Sequence, residues 1–338
     1  METKKPRFKK ILIIRFSSIG DVILTSPIVR CVKNQTGAEL HYLTKSGMSS
    51  LVKNNPHIDK VIPFEKEDST LLQRLKEEKY DLIIDLHHNL RSRKVSLALK
   101  TKVVRFHKAN VAKWLKVNLK WDRLPKQHLV DRYFDALGRM GIENDGKGLD
   151  FFIDDKDSEK AQSYTQGAKP VVSISLGASF FTKRIPVSKI SSWIKAFDES
   201  RIILIGGKDV IQDAKEIEEQ HPGKILNLCG QINLQTSAAI IKESNVLISG
   251  DTATMHMGAA LGTYLISVWG NTIPEFGMSP YYGKQENRNV NLEVLDLSCR
   301  PCSKLGHGSC PKGHFKCMMD QSDSRLIEEV NRRTHQEI

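Results

Sequence analysis

Short apolar runs alternate with helix-length amphipathic segments along most of the chain, the pattern of a parallel α/β protein. In the first half the runs that read as strands are Lys10–Phe16, Glu39–Leu43, Lys60–Pro63, Asp81–Leu86 and Val103–Phe106. In the second they are Val171–Leu176, Arg201–Ile205, Ile225–Leu228, Val246–Ile248 and Tyr264–Val268. Five strands in each half predict two open sheets of the nucleotide-binding type, with ligand sites at the carboxyl ends of the strands and a cleft between the halves. The polar stretch from Asp145 to Ala168, broken by Gly146 and Gly148, marks the boundary. The expected domains are therefore 1–160 and 161–338, and Asp323–Arg333 reads as a terminal helix. Thr252–Pro274 carries no charge, but His256, Asn271, Gly258, Gly262 and Gly270 make it a helix, a turn and a buried strand rather than a membrane span.

With 338 residues, 40% hydrophobic and 27% charged, the chain is long enough for two domains and too apolar to be disordered. Its net charge of +12 is uneven: residues 1–150 hold 30 Lys+Arg against 17 Asp+Glu, the remainder 21 against 22. The first half should thus meet something anionic. Between Arg91 and Lys126 twelve Lys and Arg face one acid, Asp122, with Trp114, Leu115, Val117, Leu119 and Trp121 interleaved. Such a stretch suits an anionic membrane surface, a phosphorylated glycolipid or nucleic acid, or else is a solvated basic face. At the start, Lys4, Lys5, Arg7, Lys9 and Lys10 run into an apolar stretch, Ile11–Ile14, too short for a secretory signal, so a cytoplasmic location is expected.

Chemistry concentrates at strand-to-helix turns. After the first strand comes Phe16-Ser17-Ser18-Ile19-Gly20-Asp21, whose small residues let a ligand approach the backbone and whose helix start could bind an anion. With one glycine it is not the dinucleotide fingerprint, which argues against an epimerase or dehydrogenase. Asp21 could accept a proton from a hydroxyl group, or simply cap the helix. In the second half Leu176-Gly177-Ala178-Ser179 leads to Thr182-Lys183-Arg184-Ile185-Pro186, where two cations beside hydroxyls suit a diphosphate, unless they are a solvated pair. Gly206-Gly207 ends another strand where an open sheet receives nucleotides. In Ser249-Gly250-Asp251-Thr252-Ala253-Thr254-Met255-His256 the helix start favours phosphate and Asp251 could bind sugar hydroxyls; the plainer reading makes Asp251 or Thr252 a cap and His256 a satisfied core histidine. Cys299, Cys302, Cys310 and Cys317 form C-x2-C-x7-C-x6-C in a segment 299–317, either a structural zinc site or free thiols or a facultative disulfide, while Cys31 and Cys229 read as buried thiols.

Together, Gly20-Asp21, Lys183-Arg184-Ile185-Pro186, Gly250-Asp251-Thr252 with His256, the stretch Asp81–Ser92 and His128-Leu-Val-Asp-Arg132 resemble, in order, glycosyltransferase family 9, the ADP-heptose:lipopolysaccharide heptosyltransferases. The resemblance implies a GT-B fold of two Rossmann-like domains, the first binding acceptor and the second the nucleotide sugar. It implies that Asp21 is the base, that Lys183 binds phosphate and that Asp251 belongs to a donor-site D-T motif. Ser179, Thr182, Arg184, Gly206, Gly207, Thr252 and His256 are then donor-site candidates, and Ser18, Gly20, Arg91, Arg93 and Arg132 acceptor-site candidates. Ile185 stands where the family usually has Trp, and Ala253 where it has Gly, which leaves the donor sugar open. The implied partners are ADP-heptose or a similar nucleotide sugar and an anionic glycolipid at the inner membrane, with no cofactor needed for catalysis and no nucleic acid.

Overall fold

In the computed structural model, which describes residues 8–167, 169–197 and 200–335, eleven strands form two parallel sheets. Lys4, Lys5 and Arg7 lie outside the described residues. The first sheet holds β1 (Lys10–Ile14), β2 (Glu39–Lys45), β3 (Lys60–Phe64), β4 (Leu82–Asp85) and β5 (Lys102–Arg105), in the order β3-β2-β1-β4-β5. The second holds β6 (Val171–Ser175), β7 (Arg201–Ile205), β8 (Ile225–Asn227), β9 (Val246–Gly250), β10 (Tyr264–Trp269) and β11 (Asn289–Glu293), in the order β11-β10-β9-β6-β7-β8. Strands such as β1, β6 and β9 are buried on both faces because helices cover both sides, which is why they read as continuous apolar runs.

Strand order reverses beside β1 and β4 in the first sheet and beside β6 and β9 in the second. The loops leaving these four strands therefore stand at the two topological switch points, where an open α/β sheet receives ligands. Beneath them lie two separate apolar cores, one built on Leu12, Ile14, Phe16 and Ile83, the other on Ile174, Trp193, Ile248 and Val268.

All ten expected strands are present, displaced by no more than two residues at an end. Unexpected elements include a strand and a helix. The strand β11 (Asn289–Glu293) buries only Leu292 and is otherwise too polar to form an apolar run. Within the boundary stretch, a helix at Asp155–Thr165 buries only Ala161. After β1 come two helices, Ile19–Ile23 and Ser26–Thr36. The charge-free window resolves as expected, into the helix Ala253–Leu261, a left-handed Gly262 (φ +74) and β10, and among the described residues no helix is long and apolar enough to cross a membrane.

The chain passes between its two compact units more often than the expected single division at residue 160. The first unit contains the residues up to Lys108, Gln127–Phe152 and Tyr282–Gln285; the second contains Ala109–Lys126, Ile153–Tyr281 and everything from Glu286. Tyr282–Gln285 joins the first because Lys284 N donates to the Gly146 carbonyl at 2.8 Å and Gln285 Nε2 to the Lys147 carbonyl at 2.8 Å. Half of the basic stretch consequently belongs to the second unit, and the formal charges become +10 (26 Lys+Arg, 16 Asp+Glu) and +2 (25 and 23).

Candidate active site

In the first unit, β1 is followed directly by Arg15, whose side chain turns back into the protein and is nearly buried. Its Nε donates to the Ser17 carbonyl at 2.9 Å, and its Nη1 to the Leu86 carbonyl after β4 and to the Tyr133 hydroxyl at 3.2 Å. The remaining nitrogen, Nη2, lies 2.6 Å from Asp21 Oδ1. Asp21 Oδ2 accepts from Ser18 Oγ at 2.8 Å and Ser18 N at 3.2 Å. Burial pushes the Asp21 carboxyl up, but the Arg15 charge and the Ser18 hydrogen bonds more than offset it, so the net shift is below the ordinary carboxylate value. Asp21 is therefore ionised throughout the neutral range.

Asp21 thus occupies the third position of the helix Ile19–Ile23 and serves its amino end while being oriented by Arg15. That helix has five residues and its start already holds a carboxylate, so the turn is not the anion site its small residues suggested; Ser18 is exposed and Gly20 buried.

The loop after β4 stands beside this turn. Asp85, fully buried, accepts from His88 N at 2.7 Å, Ser92 Oγ at 2.9 Å and Arg105 Nε at 3.1 Å, which fixes the loop and the start of the helix Leu90–Leu99. His87 packs edge-on against the Phe16 ring at 5.1 Å. Burial, then the charges of Arg15 and Lys108, push His87 down to about 4, so it is a neutral imidazole at pH 7. Sequence reasoning missed Arg15 and singled out neither histidine.

The three acceptor-site arginines differ in setting. Arg91 and Arg93 are exposed on the first turn of Leu90–Leu99, with Arg93 Nη2 3.1 Å from His88 Nε2. Arg132, on the helix Leu129–Gly138, is 5% exposed, and none of its three guanidinium nitrogens has a hydrogen-bond partner among the described residues. Burial pushes its pKa down, and no carboxylate opposes that. A desolvated cation without a counter-charge is costly, and an anionic ligand would relieve the cost.

In the second unit, the loop after β6 and the loop after β9 bring two expected residues together: Lys183 Nζ lies 2.6 Å from Asp251 Oδ2, which also accepts from Thr272 Oγ1 at 2.8 Å. Glycine permits this approach, because a Cβ on Gly250 would lie 2.4 Å from the Lys183 carbonyl and one on Gly270 2.7 Å from the Thr182 carbonyl. Beside the pair starts the helix Ala253–Leu261, whose first amides receive no side-chain cap from Thr252. Instead the Thr252 hydroxyl joins Thr254 at 2.8 Å and Ser249 at 3.2 Å, and Thr254 donates to Ser175 at 2.8 Å. Uncapped helix amides beside a lysine make an anion site.

The other donor-site candidates divide. Ser179 is exposed, and Thr182 is buried. Arg184 turns from Lys183 to Asp209, 2.6 Å away, above the Gly206-Gly207 turn. A Cβ on Gly206 would lie 2.5 Å from Val210, so packing within the loop already accounts for that glycine. His256 is 2% exposed, inside the fold rather than on the site's surface.

The cysteine segment supports the Lys183 loop. His307 N donates to Thr182 Oγ1 at 2.8 Å, Thr182 N returns a bond to the His307 carbonyl at 3.2 Å, and Phe315 stacks on Phe181 at 5.3 Å. All six cysteines are free, with Cys31 and Cys229 buried. Burial and neighbouring thiols push Cys317 up to about 12 and raise Cys302. Cys299 Sγ lies 3.9 Å from His314 Nε2, a donor set that suits zinc, yet the sulfurs are not drawn into one ligand shell. Among the described residues the one trio with ligand atoms within 4.8 Å of one another is Glu39, His41 and Glu78, and there Lys10 and Lys60, each 2.6 Å from Glu78, already supply the positive charge. A cavity of about 680 Å³ lined by Gln166, Lys169, Arg201 and Ile225 opens at the amino ends of β6, β7 and β8, opposite the strand ends that carry Lys183 and Asp251.

The chain is similar to proteins already known. Lipooligosaccharide heptosyltransferase 2 of Campylobacter jejuni is 28% identical over 49% of this chain, a match that spans about half (52%) of that protein's length. Lipopolysaccharide heptosyltransferase 1 of Campylobacter coli is 24% identical over 85% of this chain and 89% of its own. The structure of Escherichia coli ADP-heptose lipopolysaccharide heptosyltransferase II superposes with a TM-score of 0.72 at 18% identity, covering 97% of this chain and 99% of that one. The two parallel α/β units are thus the Rossmann-like units of a GT-B fold. Residues 69–307 match the sequence model described as glycosyltransferase family 9 (heptosyltransferase), a span reaching from before β4 to the cysteine segment, and the chain belongs to that family.

Proposed function

We propose that this protein is an inverting glycosyltransferase that moves a heptose from ADP-heptose to a hydroxyl of the lipopolysaccharide inner core. The observation that carries the reading is the Lys183–Asp251 pair beside an uncapped helix start at the second unit's switch point. A lysine already held in place can exchange its carboxylate partner for a diphosphate, leaving Asp251 to accept hydrogen bonds from sugar hydroxyls.

In the reaction the acceptor oxygen forms a bond to the anomeric carbon from the face opposite ADP, and its proton passes to Asp21. The bond from the anomeric carbon to the ADP oxygen breaks with its electron pair, and Lys183 and the amides at Ala253 stabilise the charge on the departing diphosphate. Arg15 keeps Asp21 ionised and oriented, at the cost of some basicity, so proton transfer is favourable only once the attacking hydroxyl has become acidic in the transition state. The buried Arg132 supports an anionic acceptor, with Arg91 and Arg93 as outer contacts. Arg184, tied to Asp209, is assigned to the donor loop's shape. The chain's own residues account for every step, so no cofactor is assigned to transfer; the cysteine segment holds the Lys183 loop, and a zinc bound there would be structural. The enzyme would work in the cytoplasm, at the periphery of the inner membrane where such an acceptor is found.

Turnover with a panel of nucleotide sugars and a core-oligosaccharide acceptor tests the proposal. ADP-heptose should be consumed with formation of a new glycosidic bond of inverted anomeric configuration. Equal use of UDP- or GDP-sugars, or consumption of ADP-heptose without a glycosylated product, would overturn it.

A further inference from the structure

The helix Asn110–Asn118 is inverted relative to an ordinary surface helix. Val111, Trp114 and Leu115 share one face by their three- and four-residue spacing, and Lys113 and Lys116 fall on the other. It is the apolar face that meets solvent: Val111 is 74% exposed and Trp114 55%, and the helix has no buried residue. Lys113 turns towards the protein, over the Phe276 ring at 5.5 Å, and Lys116 is paired within the segment to the exposed Asp122 at 2.9 Å. Beyond the helix, Leu119 is 45% exposed and Trp121 62%, while Lys120 is fastened to the Pro301 carbonyl at 2.8 Å. Arg123 and Lys126 complete an exposed cationic rim, and the segment Ala109–Lys126 carries five Lys and Arg against one acid.

We propose that this segment docks the enzyme on an anionic lipid bilayer, with Val111, Trp114, Leu119 and Trp121 entering the interfacial layer and Arg123 and Lys126 meeting lipid phosphates. This rests on the peripheral-membrane part of the proposed function and names the element responsible. Two indole rings and two aliphatic side chains ringed by cations match the headgroup boundary, where tryptophan is favoured and each nearby basic residue adds to the attraction. A second copy of the chain is the wrong occupant, since pairing this face with itself would set like charges against each other. Nucleic acid could stack on tryptophan but offers nothing to Val111 and Leu119.

The distribution of tryptophans supplies the test. Trp193 and Trp269 are buried at 0% and 1% exposure, so a change in emission on docking reports Trp114 and Trp121. Full-length protein is titrated with vesicles of phosphatidylcholine alone and with added phosphatidylglycerol, some brominated in the acyl chains. Binding to the anionic vesicles, a blue shift and quenching by bromine are expected. Trp114→Ala with Trp121→Ala should weaken partitioning by about tenfold or more, and Arg123→Gln with Lys126→Gln should reduce its salt dependence. Turnover of a lipid-free core oligosaccharide should stay unchanged in both variants, which separates failure of docking from failure of the transferase reading. Absence of binding, binding indifferent to the tryptophans, or a matching loss of DNA retention in place of vesicle binding would overturn the assignment.

Discussion

Asp21 and Arg132 lie in one unit and illustrate opposite energetic choices. Asp21 is ionised and fully engaged, with Arg15 on one oxygen and Ser18 on the other, whereas Arg132 is a desolvated cation with no partner among the described residues. Removing the charge should therefore stabilise the protein while harming function. Arg132→Met should raise the unfolding free energy by about 1–3 kcal/mol, the scale for relieving an unsatisfied buried polar group, and raise the acceptor KM. Denaturant titration paired with acceptor kinetics checks this; lower stability with an unchanged KM would show that Arg132 has a structural partner and no acceptor role. At this scale the sequence singled out Asp21, Lys183 and Asp251, because each lies in a segment that leaves an apolar strand. Arg15 and His87 stayed hidden: one reads as the end of a strand, the other as one of two adjacent histidines, until β1, β4 and the helix Leu129–Gly138 are brought side by side.

Elements were legible where burial on both faces forces an apolar run, and illegible where one face is wet. Strands such as β1, β6 and β9 were foreseen for that reason, and β5 and β8, which bury no residue fully, through the apolar pairs Val103-Val104 and Ile225-Leu226; β11 and the helix Asp155–Thr165, mostly polar in sequence, were not foreseen. Nor does sequence reveal that Gly250 and Gly270 matter for the space they leave to the Lys183 loop rather than for backbone freedom. Gly250→Ala would place a methyl group 2.4 Å from the Lys183 carbonyl and force the loop away. ADP affinity should drop about tenfold or more, the equivalent of an overpacking cost of 1–3 kcal/mol. Calorimetric titration with ADP measures it, and unchanged affinity would mean that the loop does not bind the diphosphate.

Charge at the scale of the whole molecule was read from sequence in its total but not in its placement, because the basic stretch is divided between the units. The first unit is fastened by ion pairs between distant segments: hydrogen bonds from Lys10 and Lys60 hold Glu78 down at about 2, and those from Arg30 hold Asp145 down at about 2. Carboxyls depressed in the folded state stabilise it above their unfolded values, and the contribution is lost as pH falls towards 2. The protein should lose on the order of 1 kcal/mol per group, after allowance for solvent screening, between about pH 5 and pH 2, and Glu78→Gln should flatten the slope. Denaturation midpoints measured across that range give the slope, and an identical slope in the variant would remove Glu78 from the account.

The central claim is that Asp21 takes the acceptor proton while a separate unit holds the nucleotide, and turnover by Asp21→Asn at saturating ADP-heptose tests it most directly. The amide preserves the shape of the side chain, so folding and calorimetric ADP affinity should remain near those of the unaltered enzyme, while turnover falls by roughly 10²-fold or more. Near-normal turnover in that variant would contradict the account and leave Asp21 as the cap of a short helix.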